Sequence, residues 1–411
     1  MIAHIERLSG VPFREQGPAF LVGAGHGMTH WVAAFFYLLI PYFTVDLGLS
    51  YAEAGMVVAV LHASSFAANF GSGMAVDITG RRVPFQILSL AAGGLALLAF
   101  GVTESYLVLC AMVAVIGASN NLWHPPAIAF LSARYPRNRG YALSVHALGA
   151  NLGDTLAPLA AGALLLALSW QGTASIGSVA PLLAAVLVAM VLLPHERPAA
   201  GANPGRAMSV GDYFRGLKGI ASDRPVLGLC LMAGFRSMTQ NGLYVFLPLY
   251  LVNVVGANPL VAGAAMTAMQ VGGVLAAPIA GAWSDRVGRR RIVLSGLTVT
   301  TAVLFVLTVV SNEALFIGGV SVLGFALFAI RPVIHSWMMD LTPREMAGSA
   351  TSLMFGTQSL LSAAVPAVGG LLADRYGLPS VFYLLAATIV IANLLVVVLP
   401  DRDPGHEGKA A

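Results

Sequence analysis

The sequence predicts an all-α membrane protein in which twelve transmembrane helices form two pseudo-symmetric six-helix bundles. Hydrophobic residues make up 57% of the chain and charged residues only 10%, against roughly 25% charged residues in an ordinary soluble domain. Apolar runs of roughly 20 residues, the length that crosses the hydrocarbon core as a helix, recur from end to end. One short polar pattern also occurs twice, once in each half of the chain.

Twelve apolar runs define the predicted spans. Their high Gly and Ala content favours closely packed helices, whereas the strands of a membrane barrel would alternate in polarity with a period of two. A mean hydropathy of +0.81 argues against a soluble globular domain. The predicted spans begin near Leu21, Glu53, Pro84, Ser105, Gly140, Ile176, Pro225, Pro259, Arg291, Glu313, Met346 and Pro379.

Basic residues indicate the orientation of the spans. If the N-terminus is cytoplasmic, the termini and the even-numbered connections carry all but three of the 22 Lys and Arg residues. The exceptions are Arg236 and Arg331, which lie within predicted spans, and Arg375. Since positive charge concentrates on the cytoplasmic side of membrane proteins, both termini are expected in the cytoplasm. The pI near 9.2 then reflects topology, and we expect no nucleic-acid partner.

The N-terminal residues and the cysteines exclude several other features. The first 20 residues carry two Glu and two Arg and lack the apolar core of a signal peptide, so the first span is expected to stay as an anchor. Cys110 and Cys230 lie in different halves and in predicted spans, which predicts neither a disulfide framework nor a CxxC metal site. We expect no cofactor.

A short pattern after the second span recurs after the eighth. Its two copies consist of Gly73, Asp77, Gly80, Arg81 and Arg82 and, 208 residues later, of Gly281, Asp285, Gly288, Arg289 and Arg290. The duplication predicts an N-terminal bundle (1–193) and a C-terminal bundle with a short cytoplasmic tail (225–411), joined by a cytoplasmic linker (194–224). Residues 208–220 of the linker carry apolar side chains on one helical face, which suits either a short helix on the membrane surface or a solvated loop.

The duplicated GxxxDxxGRR pattern resembles the loop signature of the major facilitator superfamily, and the likeness covers the whole chain. It implies the major facilitator fold in a monomeric, multi-pass protein of the bacterial inner membrane, together with a gate that stabilises the outward-facing state. The residues assigned to this gate are Gly73, Asp77, Gly80, Arg81, Gly281, Asp285, Arg286, Gly288 and Arg289. The first copy departs from the second at Ile78 and Thr79. Alternatively, these arginines serve only as topology signals.

The fifth span combines small residues with a carboxylate. Residues 149–162 resemble a degenerate form of the antiporter motif of exporters in this superfamily, and glycines at this spacing, echoed in the eleventh span, allow close helix packing. Residues 117–125, the Arg139-Gly140 pair and the fifth span together resemble the fosmidomycin-resistance group of bacterial exporters. This resemblance implies export of phosphonate-like compounds, although Gly153 and Asp154 replace the serine-rich stretch of that group.

Charged side chains inside the spans are the main candidates for function. A charge at the bilayer centre costs about 2.5–3.5 kcal/mol on insertion scales, so Arg236 and Arg331 are expected to be paired or functional. Arg binds carboxylate, phosphate and phosphonate groups through paired hydrogen bonds, which favours an anionic substrate. The alternative is pairing with a protein carboxylate, for which Asp154 and Asp340 are the candidates.

Polar residues of the first half complete the predicted site. The resemblance implies that the first, fourth, seventh and tenth spans line a central cavity. The further substrate-binding candidates on these spans are His26, His30, His124, Tyr37, Asn120, Asn121, Gln240, Asn241 and His335. Asp154, roughly at mid-span, is expected to be protonated or paired and is assigned to proton coupling, with a static partner for His or Arg as the alternative.

These residues predict a proton-coupled secondary transporter that exports small organic anions or anionic drugs by alternating access. Its partners are the substrate, protons and the lipid bilayer. Uptake of an anionic nutrient is the alternative, since direction is set by gradients and coupling. Transport of a divalent metal ion is a less favoured alternative. His26 and His30 lie one turn apart and suit metal chelation, but nearby arginines would repel the ion. An enzyme is not expected, because no helix carries a HExxH or Ser/His/Asp arrangement.

Overall fold

The protein is represented by a computed structural model that describes Glu6 and residues 9–196, 222–310, 312–342 and 347–399. Within these ranges the side chains of residues 69–70, 73–74, 77–78, 195, 313, 347–349 and 352 are not described. The proposed surface helix at 208–220 and most of the predicted linker lie outside the described residues. The predicted boundaries of the two bundles therefore stay a prediction.

The described residues form fourteen α-helices and no β-strand. They are α1 (Gly17–Asp46), α2 (Tyr51–Thr79), α3 (Val83–Phe100), α4 (Tyr106–Leu122), α5 (His124–Arg134), α6 (Arg139–Leu164), α7 (Trp170–Gly177), α8 (Val179–Leu192), α9 (Arg224–Tyr250), α10 (Pro259–Val287), α11 (Arg289–Leu307), α12 (Glu313–Leu341), α13 (Ala347–Tyr376) and α14 (Pro379–Val398). The predicted all-α membrane fold is confirmed.

Ten of the predicted spans are long and apolar enough, among the described residues, to cross a membrane. The predicted fourth span comprises α4 and α5, which are divided at Trp123, and the sixth comprises α7 and α8. The two predicted spans outside these ten are α6 and α9, which are long enough but less apolar than the transmembrane candidates over any 18-residue stretch. A count of twelve spans agrees with these helices.

Most helices begin within about two residues of the predicted start. The sixth span is the largest exception, because α7 begins at Trp170 rather than near Ile176. The Ser169 hydroxyl accepts a hydrogen bond from the Gly172 amide at 3.2 Å and so caps the helix N-terminus. Such a cap sets the start of a helix before its apolar run begins.

The chain folds into two compact units, each containing a short segment from the other half of the sequence. Among the described residues, the first unit comprises Glu6 and residues 9–48, 60–196 and 258–267, and the second comprises 49–59, 222–257, 268–310, 312–342 and 347–399. In the first unit, α1 packs along α6, and α3 packs against α4 and α8. In the second, α9 packs against α13 and α14.

Glycines bring α1 and α6 into direct backbone contact. A Cβ atom added to Gly149 would overlap the carbonyl oxygen of Gly23, and one added to Gly153 would overlap that of Gly27. Only glycine permits so close an approach. The glycines of the antiporter-like stretch therefore set the distance between the polar side chains of these two helices.

The glycines that recur in the fifth and eleventh spans make two similar contacts with backbone carbonyl groups. In the first unit, Gly162 of α6 lies against the carbonyl oxygen of Pro259 at the start of α10. In the second, Gly370 of α13 lies against that of Tyr51 at the start of α2. The second contact adds a charge: the Asp374 carboxylate accepts hydrogen bonds from the amides of Tyr51 and Ala52 at 2.8 and 2.9 Å.

Candidate functional site

Five polar residues of the first unit meet in what we call the histidine cluster: His26, His30, His124, His146 and Asp154. Nε2 of His26 lies 3.2 Å from Nε2 of His124, and Nδ1 of His30 lies 3.0 Å from Oδ1 of Asp154. Nδ1 of His26 contacts the carbonyl oxygen of His146 at 2.8 Å. The cluster links α1, α5 and α6 through titratable groups.

Burial differs across the histidine cluster. His26 is 5% exposed and stacks on the His146 ring, with centroids 3.7 Å apart. The side chains of His30 and Asp154 are 23% and 27% exposed. The cluster thus has a buried side and a partly exposed His–carboxylate pair.

The second unit contains the arginine cluster of Arg236, Arg331 and His335. Arg236 is 3% exposed, and its Nε and one terminal nitrogen donate to the carbonyl oxygen of Leu327 at 3.3 and 2.7 Å. Its guanidinium carbon also lies 6.0 Å from the centre of the Phe328 ring. Arg331 is exposed, and the two guanidinium groups repel each other electrostatically. His335 on α12 interacts electrostatically with the guanidinium groups of Arg236 and Arg331.

The carboxylates considered as partners for these arginines are engaged elsewhere. Asp154 pairs with His30, and Asp340 pairs with Arg289, Oδ2 to Nε, at 3.2 Å. Within the described ranges, no carboxylate lies at ion-pair distance from Arg236 or Arg331. As far as the described side chains show, the positive charge of this cluster is not compensated by a carboxylate.

Other predicted binding residues make local contacts. The Tyr37 hydroxyl lies 3.5 Å from Nε2 of His62, and Asn120 donates to the carbonyl oxygen of Thr29 at 3.1 Å, tying α4 to α1. Asn121 is half-buried. In the second unit, Gln240 donates to the Tyr244 hydroxyl at 3.2 Å. Asn241 donates to the Ser362 hydroxyl at 2.8 Å.

The second copy of the duplicated pattern ties three helices together. Arg289, at the start of α11, pairs with Asp285 on α10 and Asp340 on α12, and donates to the Ser284 hydroxyl at 2.6 Å. Asp285 therefore pairs with Arg289, which lies four residues later in the same copy of the pattern. Arg286 is exposed. A Cβ atom added to Gly281 would meet open space.

The first copy shares the turn of the second. Gly80 has φ +63° and Gly288 has φ +97°, a backbone conformation that favours glycine and ends the preceding helix. Arg81 is exposed beside this turn. The surroundings of Gly73 and the Asp77 side chain lie outside what the structure describes, so the assignment of both residues to the gate stays a prediction.

One member of the histidine cluster, His146, and its neighbour Trp123 were not among the predicted site residues. His146 lies eight residues before Asp154, a spacing that places both on one face of α6, and this periodicity was the available sequence signal. Trp123 donates from Nε1 to Nε2 of His146 at 3.2 Å. This hydrogen bond depends on the position of Trp123 at the break between α4 and α5, and hydrophobic periodicity does not reveal that break.

These spans and the two compact units are those of a multi-pass membrane transporter. A sequence profile described as "Major Facilitator Superfamily" matches residues 19–258 and again 229–411. The chain belongs to the major facilitator superfamily, whose members are secondary transporters. The predicted family and fold are confirmed, whereas the narrower likeness to the fosmidomycin-resistance group is not.

Curated relatives share about a quarter of their residues with this chain. A "Multidrug resistance protein B homolog" of Mycobacterium tuberculosis is 27% identical over 344 residues, covering 70% of this chain and 63% of the relative. The chain thus spans less than two thirds of that relative's length. "Multidrug resistance protein MdtG" of Escherichia fergusonii is 24% identical over 370 residues, covering 87% of each chain.

Solved structures show the same fold. A bacterial homologue of the human lysosomal transporter Spinster, in an inward-facing and occupied conformation, has a TM-score of 0.82 at 14% identity and covers 95% of this chain and 97% of its own. The nucleoside transporter NupG has a TM-score of 0.77 at 12% identity and covers 93% and 98%. At these identities, the likeness extends to the fold alone.

Proposed function

We propose that this transporter exports small organic anions or anionic drugs from bacterial cells in exchange for protons, by alternating access. The uncompensated charge of the arginine cluster carries this proposal. Arg236 is anchored by a backbone carbonyl group, and exposed Arg331 offers its guanidinium group to a ligand. A carboxylate, phosphate or phosphonate group fits this donor geometry. The resemblance to phosphonate exporters favours the same chemistry.

The names of two relatives support export, because both are called multidrug resistance proteins. We place the protein in the inner membrane with both termini in the cytoplasm, because of the positive-inside distribution of Lys and Arg. Proton coupling is assigned to the His30 and Asp154 pair, the accessible part of the histidine cluster. Protonating Asp154 removes its negative charge and so weakens its attraction to His30.

Arg331→Ala in proteoliposomes tests the anion site. A hydrogen bond to a charged group contributes about 1.5–3 kcal/mol, so losing the guanidinium group should weaken the apparent anion affinity by at least about 10-fold. Counterflow of a radiolabelled phosphonate or dicarboxylate measures this. Arg375→Ala, at the C-terminal end of α13, is the matched control and should transport as the unmodified protein does.

The result has two clear readings if both variants are purified with unchanged thermal unfolding transitions. A selective loss in Arg331→Ala supports an anion site at this residue. Near-normal counterflow in Arg331→Ala would remove Arg331 from the site and with it the argument for an anionic substrate.

A further inference from the structure

We propose that His26, His30 and His124 form a binding site for a divalent transition-metal ion such as Zn²⁺. A ring nitrogen of each histidine lies within 4.8 Å of those of the other two. The site lies in the first unit and does not depend on the arginine cluster, although it shares His30 with the pair to which proton coupling is assigned. It assigns the HxxxH spacing of α1 to coordination rather than to packing.

The separations suit one ion. Two nitrogen ligands at 2.0–2.1 Å from a tetrahedral zinc are about 3.3 Å apart. Nε2 of His26 and Nε2 of His124 lie 3.2 Å apart, which matches one edge of such a tetrahedron. The third ligand needs a small rotation of the half-buried His30 ring, whose centroid lies 4.8 Å from that of His26.

Neighbouring acceptors fix two rings in the coordinating tautomer. A carbonyl oxygen can only accept, so Nδ1 of His26 carries the proton toward His146 and Nε2 keeps its lone pair. Oδ1 of Asp154, 3.0 Å from Nδ1 of His30, accepts from that ring in the same way. Backbone carbonyl and carboxylate groups are the usual outer partners of zinc-bound histidines, where they orient the ring and raise its basicity.

The support of the site is rigid on one side and accessible on the other. His146 stacks on His26 and accepts a hydrogen bond from Trp123, while Gly23 and Gly27 hold α1 against α6. His30 and Asp154 are partly exposed, which leaves a path for an ion.

The donor set defines the class of ion. Three imidazoles favour Zn²⁺, Co²⁺, Ni²⁺ or Cu²⁺ over Mg²⁺ or Ca²⁺, which prefer oxygen ligands. Three protein ligands also leave a fourth position for water or an external donor.

Metal titration of the purified full-length protein in detergent tests the proposal. Co²⁺ should give the visible absorption bands of a four-coordinate site and saturate at one equivalent. Zn²⁺ should displace it and should also compete with a chromophoric chelator. His26→Gln, His30→Gln and His124→Gln should each abolish the cobalt bands. Asp154→Asn, which keeps all three ligands, should weaken Zn²⁺ binding by about 10–100-fold.

His62→Gln is the matched control, since this histidine lies within α2 and outside the cluster; it should bind Zn²⁺ as the unmodified protein does. Arg331→Ala should also bind Zn²⁺ normally, so failure of the anion proposal leaves this result intact. Stoichiometric binding that survives in the triple histidine variant would overturn the site. The absence of cobalt bands in the folded, unmodified protein would overturn it as well.

Discussion

The histidine and arginine clusters differ in the groups that contact their charged side chains within the membrane-spanning helices. In the histidine cluster each charge-bearing group has a titratable partner, as His30 has Asp154. In the arginine cluster, Arg236 is held by a neutral carbonyl group, and no carboxylate among the described residues compensates either guanidinium. The first arrangement contains groups that can bind and release protons, whereas a guanidinium group keeps its charge. On this basis the proposed function assigns protons to one cluster and anions to the other.

Each cluster includes a helix that lies outside the ten apolar candidates. Asp154 and His146 lie on α6, and Arg236 lies on α9, the two predicted spans outside the ten most apolar candidates. Polar side chains at membrane depth are costly and are retained where they have a function. Under the proposed function, the two spans outside the ten apolar candidates each supply a residue for proton coupling or anion binding.

Asp154→Asn should have the largest effect on this division of roles. The substitution keeps the size of the side chain and removes the charge that a proton neutralises. Anion movement driven by a pH gradient should fall to the level of empty liposomes, while anion exchange at equal pH continues. His62→Gln should leave both activities unchanged. Equal loss of both activities in Asp154→Asn would contradict a role confined to coupling.

Gly153→Ala should have a smaller effect, on stability and geometry together. The new methyl group would overlap the carbonyl oxygen of Gly27, and such overpacking costs about 1–3 kcal/mol. The free energy of unfolding should fall, and pH-driven transport should weaken as His30 moves from Asp154. A thiol-reactive dye can follow thermal unfolding, because Cys230 is buried.

Gly140→Ala is the control for that experiment. An added Cβ at Gly140, on the same helix, meets open space within 4 Å. Since Ala favours a helix over Gly by about 0.5–1 kcal/mol, this variant should be as stable as the unmodified protein or slightly more stable. Equal destabilisation of both variants would show that the loss reflects glycine flexibility rather than contact between α1 and α6.

Much of the fold followed from local sequence features. Apolar runs located the spans, and the duplicated pattern located two turns that need glycine, Gly80 and Gly288. Helix caps and breaks were harder, because Ser169 and Trp123 act through hydrogen bonds and chain geometry that hydropathy does not register.

The candidate site was only partly predictable. The i, i+4 spacing on α1 placed His26 and His30 on one face, but their partners come from residues about 100 positions away. The anchoring of Arg236 by the Leu327 carbonyl group depends on the packing of α9 against α12, which carries no sequence pattern. Contacts to the backbone are the part that residue types do not encode.

Luminal pH during anion efflux tests exchange of anions for protons most directly. Proteoliposomes are loaded with a small phosphonate or dicarboxylate and a pH-sensitive dye, then diluted into anion-free buffer. Exchange requires protons to enter as the anion leaves, so the lumen should acidify whichever way the protein is inserted. Anion efflux with alkalinisation would indicate cotransport instead, and anion efflux without any pH change would contradict proton coupling.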